Sequence, residues 1–119
     1  MIDSKRLIRS IGYALIGIKD VIKRENTIRV HLVIAVLVLI AGIIAHLNRY
    51  EAIAITFSIG FVLVLEMTNT AIEKLVDHLH PHHHSEVAFV KDVLAGSVMI
   101  ASITTAIVGI IVFYPHLKF

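Results

Sequence analysis

Apolar residues along the chain gather into three long runs, preceded by a segment in which apolar and charged positions alternate with a helical period. The first run, 30–47, contains one ionisable side chain near its start, His31, and closes just after His46. The second, 52–65, is uncharged but short, and reaches a spanning length only by taking in Met67, Thr68, Thr70, Ala71 and Ile72. The third, 93–114, carries no ionisable side chain before Tyr114 at its end. A helix rises about 1.5 Å per residue and needs roughly 17 to 25 mostly apolar residues to cross a bilayer. The pattern therefore predicts an all-α membrane protein, with transmembrane helices over 30–47, 52–77 and 93–114 in one domain covering 1–119.

The segment before the first run reads differently. At 100° per residue, Leu7, Ile8, Ile11, Ala14, Leu15, Ile18, Val21 and Ile22 fall in one sector. Lys5, Arg6, Arg9, Lys19, Asp20, Lys23 and Arg24 fall opposite. This predicts an amphipathic helix lying in the membrane interface within 1–29. Ile16 breaks the pattern on the polar side, and Gly12 and Gly17 weaken helicity by about 1 kcal/mol each relative to alanine. Glu25 admits two readings: continuing the helix swings its carboxylate into the apolar sector, whereas a turn at Arg24-Glu25-Asn26 leaves it solvated.

Composition agrees with a membrane protein, at 57% hydrophobic residues and a mean hydropathy of +0.86 over 119 residues. Nine of the 11 Lys and Arg residues lie before the first run or beside the loop between the second and third, leaving only Arg49 and Lys118 elsewhere. By the positive-inside rule this places the N-terminus and the 74–92 loop in the cytoplasm and the C-terminus outside it, in a multi-pass protein of the bacterial cytoplasmic membrane. The net charge of +2 gives no reason to expect nucleic acid as a partner. No cysteine is present, which excludes disulfides and thiolate chemistry. The N-terminus has no short apolar core with a small-residue cleavage site, so the mature protein is expected to retain it.

Against this background the end of the second run stands out. Glu66, Asn69, Glu73 and Asp77 follow offsets of three, four and four, which stack them on one helix face. An acidic residue inside a span costs about 2.5 to 3.5 kcal/mol on insertion scales unless it finds a partner, which makes Glu66 a functional candidate. The bland alternatives are a helix-packing hydrogen bond for Glu66 and a solvated helix end for Asp77. Carboxylates a turn apart repel, and a divalent cation relieves the repulsion. Carboxylates, an amide and cations at a cytoplasmic membrane boundary fit phosphoryl transfer from a nucleotide. In that reading Glu73 and Glu25 share Mg²⁺, Glu66 faces a lipid hydroxyl, and Lys91 and Asp92 enter from the third helix.

At these residues the sequence resembles the small prokaryotic diacylglycerol kinase family, which includes the undecaprenol kinases of Gram-positive bacteria. The E-x-x-N-[ST]-A-I-E signature reads Glu66-Met67-Thr68-Asn69-Thr70-Ala71-Ile72-Glu73, followed by Asp77 and then by Lys91-Asp92. The resemblance implies an interfacial helix plus three transmembrane helices, a homotrimer with sites shared between subunits, and ATP with Mg²⁺. It implies Glu66 as general base, Glu25 and Glu73 as metal ligands, and Arg6, Glu66, Asn69 and Ala95 on the lipid side. Nucleotide contacts implied in the same way are Arg6, Tyr13, Glu25, Glu73, His82, His83, His84, Lys91 and Asp92. His84 matches a family histidine in this loop, whereas His82 and His83 depart from the family's Glu-Tyr pair.

The histidine cluster at 80–84 raises a rival, a non-catalytic metal-handling membrane protein. Adjacent loop histidines seldom converge on one ion, so a solvated, pH-sensitive loop is the plainer reading. Ser97, Ala101, Thr105 and Gly109 recur every four residues and read as a packing ladder, within or between subunits. Lys91-Asp92-Val93-Leu94-Ala95-Gly96-Ser97-Val98 resembles the Gram-positive pattern, which favours undecaprenol over diacylglycerol as acceptor.

Overall fold

The computed structural model describes residues 1–82 and 84–117. His83, among the expected nucleotide contacts, and Lys118, used in the charge count, lie outside the described residues. The fold is all helical: α1 (Ser4–Arg24), α2 (Asn26–Ala45), α3 (Arg49–Leu79) and α4 (Ser85–Phe113), closed by a short 3₁₀ turn, Tyr114–Leu117. Three helices, α2, α3 and the α4 segment through Leu117, are long and apolar enough to cross a membrane.

The chain turns sharply at Glu25, the residue between α1 and α2, whose backbone is extended. Its N–H closes the last turn of α1 on the Val21 carbonyl. The Arg29 guanidinium then reaches back to the carbonyls of Ile22 and Lys23 at 2.9 and 2.7 Å. Those carbonyls belong to a helix end that has no further turn to satisfy it, so Arg29 on α2 caps α1. At the start of α1 the Asp3 carboxylate accepts from the Arg6 N–H. No residue of α1 is buried.

The opposite end has equally local causes. His46 adopts the left-handed conformation at φ 55°. The Leu47 N–H donates to the Gly42 carbonyl and the His46 N–H to that of Ile43, the bonding of a Schellman motif that stops α2. The Leu47 side chain folds over Gly42, where a Cβ would meet it at 3.0 Å. Asn48 then opens α3: its side chain accepts from the Glu51 N–H, and the Glu51 carboxylate accepts from the Asn48 N–H, a reciprocal capping box. The other Glu51 oxygen lies 2.9 Å from His116 Nε2, tying the 3₁₀ turn to the start of α3.

Packing on α2 and α3 follows a seven-residue seam. Ile28, Ala35 and Gly42 are the buried residues of α2 and Ile55 and Val62 their counterparts on α3, while the buried residues of α4, Ala101 and Val112, lie eleven apart. A heptad interval keeps one face of a helix toward its neighbours, and small residues on that face let helices approach closely. Ala101, from the four-residue ladder, is among the most buried, while Ser97, Thr105 and Gly109 are half-buried. Ser97 and Thr105 return their hydroxyls to the carbonyls of Leu94 and Ala101, so neither presents an unsatisfied donor to the apolar surroundings.

Length decides where the polar groups come to rest. At about 1.5 Å per residue, a helix of 31 residues extends roughly 46 Å, against a hydrocarbon core of about 30 Å. A span of α3 that entered the core at 52 along the membrane normal would hold Glu66 within it and leave Glu73 and Asp77 beyond it.

Candidate functional site

The polar stripe continues the face of α3 that buries Ile55 and Val62. Glu66, four residues after Val62, is 5% exposed and is the one buried charged side chain among the described residues. Its Oε1 lies 3.0 Å from Nε2 of His31 on α2. An unpaired carboxylate in so apolar a place would be strongly destabilising, and the imidazole is the polar group that stands beside it. One turn further, Oδ1 of Asn69 is buried with no hydrogen-bond partner among the described residues. Buried amide oxygens in folded proteins ordinarily accept a hydrogen bond, from protein or from ordered water.

Beyond Asn69 the stripe becomes ionic. Glu25 Oε1, at the α1–α2 turn, lies 3.4 Å from Nζ of Lys74, the neighbour of Glu73 in sequence. Lys91, near the start of α4, pairs with Asp77, and Glu73 adds Coulombic attraction to the same ammonium. The three elements α1–α2 turn, α3 and α4 thus bring Glu25, Glu73, Asp77, Lys74 and Lys91 to one end of the bundle. Exposed pairs of this kind contribute little to stability, so their grouping matters more for what they attract than for holding the helices together.

The remaining expected site residues are placed less centrally. Arg6 and Tyr13 are exposed on α1, and no hydrogen bond or ion pair joins either to the stripe among the described residues. Asp92 and Ala95 are exposed on α4, and His82 is exposed in the α3–α4 connection. His84 is the N-cap of α4, its Nδ1 accepting from the Glu86 N–H at 3.1 Å. Among the described residues no three His, Asp or Glu side chains converge as a metal cage.

Three participants escaped the sequence reading: His31, Arg29 and Lys74. His31 left a signal, as the lone ionisable residue inside the first apolar run, whereas Arg29 and Lys74 were indistinguishable from topology-setting charge. His31 also lines an apolar cavity of about 280 Å³ between α2, α3 and α4, together with Ala35, Val62 and Leu63.

The family model for prokaryotic diacylglycerol kinase matches residues 12–113. The chain belongs to that family. The matched stretch includes Glu25, Glu66, Asn69, Glu73, Lys91, Asp92 and Ala95, while Arg6 precedes it. The undecaprenol kinase of Bacillus subtilis is 34% identical over 115 residues, covering 97% of this chain and 94% of that protein. The diacylglycerol kinase of Haemophilus influenzae is 31% identical over 105 residues, covering 88% of this chain and 86% of its own. That of Escherichia coli K12 is 25% identical over 111 residues, covering 93% and 91%. Family membership makes the chain a lipid kinase, a phosphotransferase of the membrane, and favours that class over a metal-handling protein.

Proposed function

We propose that the chain transfers the γ-phosphoryl group of ATP to the primary hydroxyl of undecaprenol, forming undecaprenyl phosphate and ADP. The observation that carries this reading is a buried carboxylate, Glu66, anchored by His31 and followed one turn on by the unpartnered Asn69 oxygen. Undecaprenol is favoured by likeness to the Bacillus subtilis undecaprenol kinase along nearly the whole chain. Diacylglycerol is the second acceptor to consider, since the Haemophilus and Escherichia relatives are named diacylglycerol kinase.

In this mechanism Glu66 takes the proton of the lipid hydroxyl as the alcohol oxygen bonds to the γ-phosphorus and the bond to the ADP oxygen breaks. Asn69 receives or orients the hydroxyl beside the base, and Ala95 and Arg6 border the lipid. Lys91 and Asp92 approach the nucleotide, with Arg6, Tyr13, His82, His83 and His84 as its further contacts. The donor set fits Mg²⁺: a nucleotide-bound ion needs only one or two protein carboxylates, and Glu25 and Glu73 supply hard oxygens at the same end of the bundle. Held by these carboxylates, the ion would neutralise charge on the phosphates.

The same reading places α1 in the interface on its apolar side, with the N-terminus and the 74–92 loop in the cytoplasm. It also assembles three copies, so that Arg6 and Tyr13, which no hydrogen bond or ion pair joins to the stripe among the described residues of one chain, act on a neighbour's site. The test is transfer from labelled ATP to undecaprenol or diacylglycerol by purified protein in lipid with Mg²⁺. Undecaprenol should be phosphorylated faster, Glu66→Gln should lower kcat by about 10²- to 10⁴-fold with nucleotide affinity kept, and alanines at His80, His82 and His84 should leave transfer to the lipid measurable. Faster transfer to diacylglycerol would reverse the acceptor assignment, and full activity in Glu66→Gln would remove its role as base.

A further inference from the structure

The Glu66 carboxylate has one polar neighbour: Oε1 lies 3.0 Å from His31 Nε2, and no other side chain pairs with Glu66 among the described residues. Few other charged groups are positioned to compete for it. On α2, Arg29 is engaged with the α1 carbonyls. On α3, Glu73 lies two turns further on, and at the α1–α2 turn Glu25 contacts Lys74. On α4 no ionisable side chain occurs between Asp92 and Tyr114.

We propose that His31 is a positioning residue for phosphoryl transfer, its Nε2–H pinning Oε1 of Glu66 so that Oε2 is presented to the acceptor hydroxyl. The inference rests on the reading of Glu66 as the base. Glutamate has three rotatable side-chain torsions, and a base acts only within about 2.6 to 3.2 Å of the proton it takes. A carboxylate without an anchor spreads over rotamers and spends less time in reach, and a displacement of about 1 Å can lower a rate by 10²-fold. The His31 ring also lines the apolar cavity beside Val62 and Leu63, so leucine there keeps apolar contact and removes the donor. Glutamine keeps an N–H donor at nearly the reach of Nε2.

The test compares wild type, His31→Leu, His31→Gln, Glu66→Gln and the double variant His31→Leu/Glu66→Gln, with undecaprenol, diacylglycerol and ATP as substrates. His31→Leu is expected to lower kcat by about tenfold or more with KM for ATP within about twofold, and His31→Gln to restore most of the loss. The double variant should be no slower than Glu66→Gln alone, because the anchor matters only through the carboxylate. Nitrogen NMR of histidine-labelled protein supplies a reading independent of turnover: the His31 ring resonances, assigned by their loss in His31→Gln, should move in Glu66→Gln. Equal impairment of the leucine and glutamine variants, or losses that add in the double variant, would overturn the positioning role while leaving Glu66 as base. Unimpaired turnover in Glu66→Gln would instead overturn the base itself. If His31→Leu fails to assemble, ring resonances of the wild type that ignore Glu66→Gln overturn the proposal without it.

Discussion

Replacing Arg29 with alanine tests how the chain holds Glu25 against α3. The guanidinium donates to two α1 carbonyls, those of Ile22 and Lys23, at 2.9 and 2.7 Å. A hydrogen bond to a charged group contributes about 1.5 to 3 kcal/mol when water is excluded, but Arg29 is exposed and water competes for the same carbonyls. A combined loss of about 1 to 2 kcal/mol is the expectation, a factor of about 5 to 30 in how often the end of α1 opens. Hydrogen exchange of the protein in lipid nanodiscs reads this directly: amides in the last turn of α1 should exchange faster by that factor, with α3 unchanged. Arg29→Lys, a single point of charge in place of a fork, should recover part of the protection. Because Glu25 directly follows that turn, Mg²⁺-dependent nucleotide affinity should fall alongside it. Unchanged exchange in residues 18–24, or faster exchange spread evenly over all four helices, would refute the view of Arg29 as a local cap.

Glu73→Gln should weaken Mg²⁺-dependent nucleotide binding by about tenfold or more, measured by calorimetry, because one of the two proposed carboxylate ligands becomes a neutral amide; an unaltered Mg²⁺ dependence counts against the assignment. His46→Gly should raise stability by about 0.5 to 1 kcal/mol, since only a residue without Cβ occupies φ 55° free of strain. A lower melting temperature for that variant would be the contrary result. Ala101→Leu should destabilise by about 1 to 3 kcal/mol in denaturant titration, because Ala101 is 1% exposed and a larger side chain there must displace what covers it. A tolerated leucine would mean that the helices do not meet there.

Much of the fold was legible because a bilayer imposes a simple demand. Every backbone group must be satisfied inside its own helix, so length and apolarity suffice to mark α2, α3 and α4. The offsets of Glu66, Asn69, Glu73 and Asp77 likewise needed only the helical period, and the signature around them named the family. The choice at Glu25 did not follow from periodicity, since both a continued helix and a turn suit the same residues. The structure chose the turn, where Arg29 satisfies carbonyls that the continued helix would have bonded itself.

What the sequence by itself determined is therefore everything local in kind: three apolar spans, the faces they carry and the order of the acidic groups on α3. Tertiary structure alone decided partnership. His31 and Glu66 belong to different helices, as do Lys91 and Asp77, and Glu25 at the α1–α2 turn meets Lys74 on α3. No spacing along the chain encodes such pairs, because their approach depends on how the helices pack and which small residues let them close. The carboxylate at Glu66 was visible as a charge in the wrong solvent; that an imidazole stands beside it is a consequence of the packing.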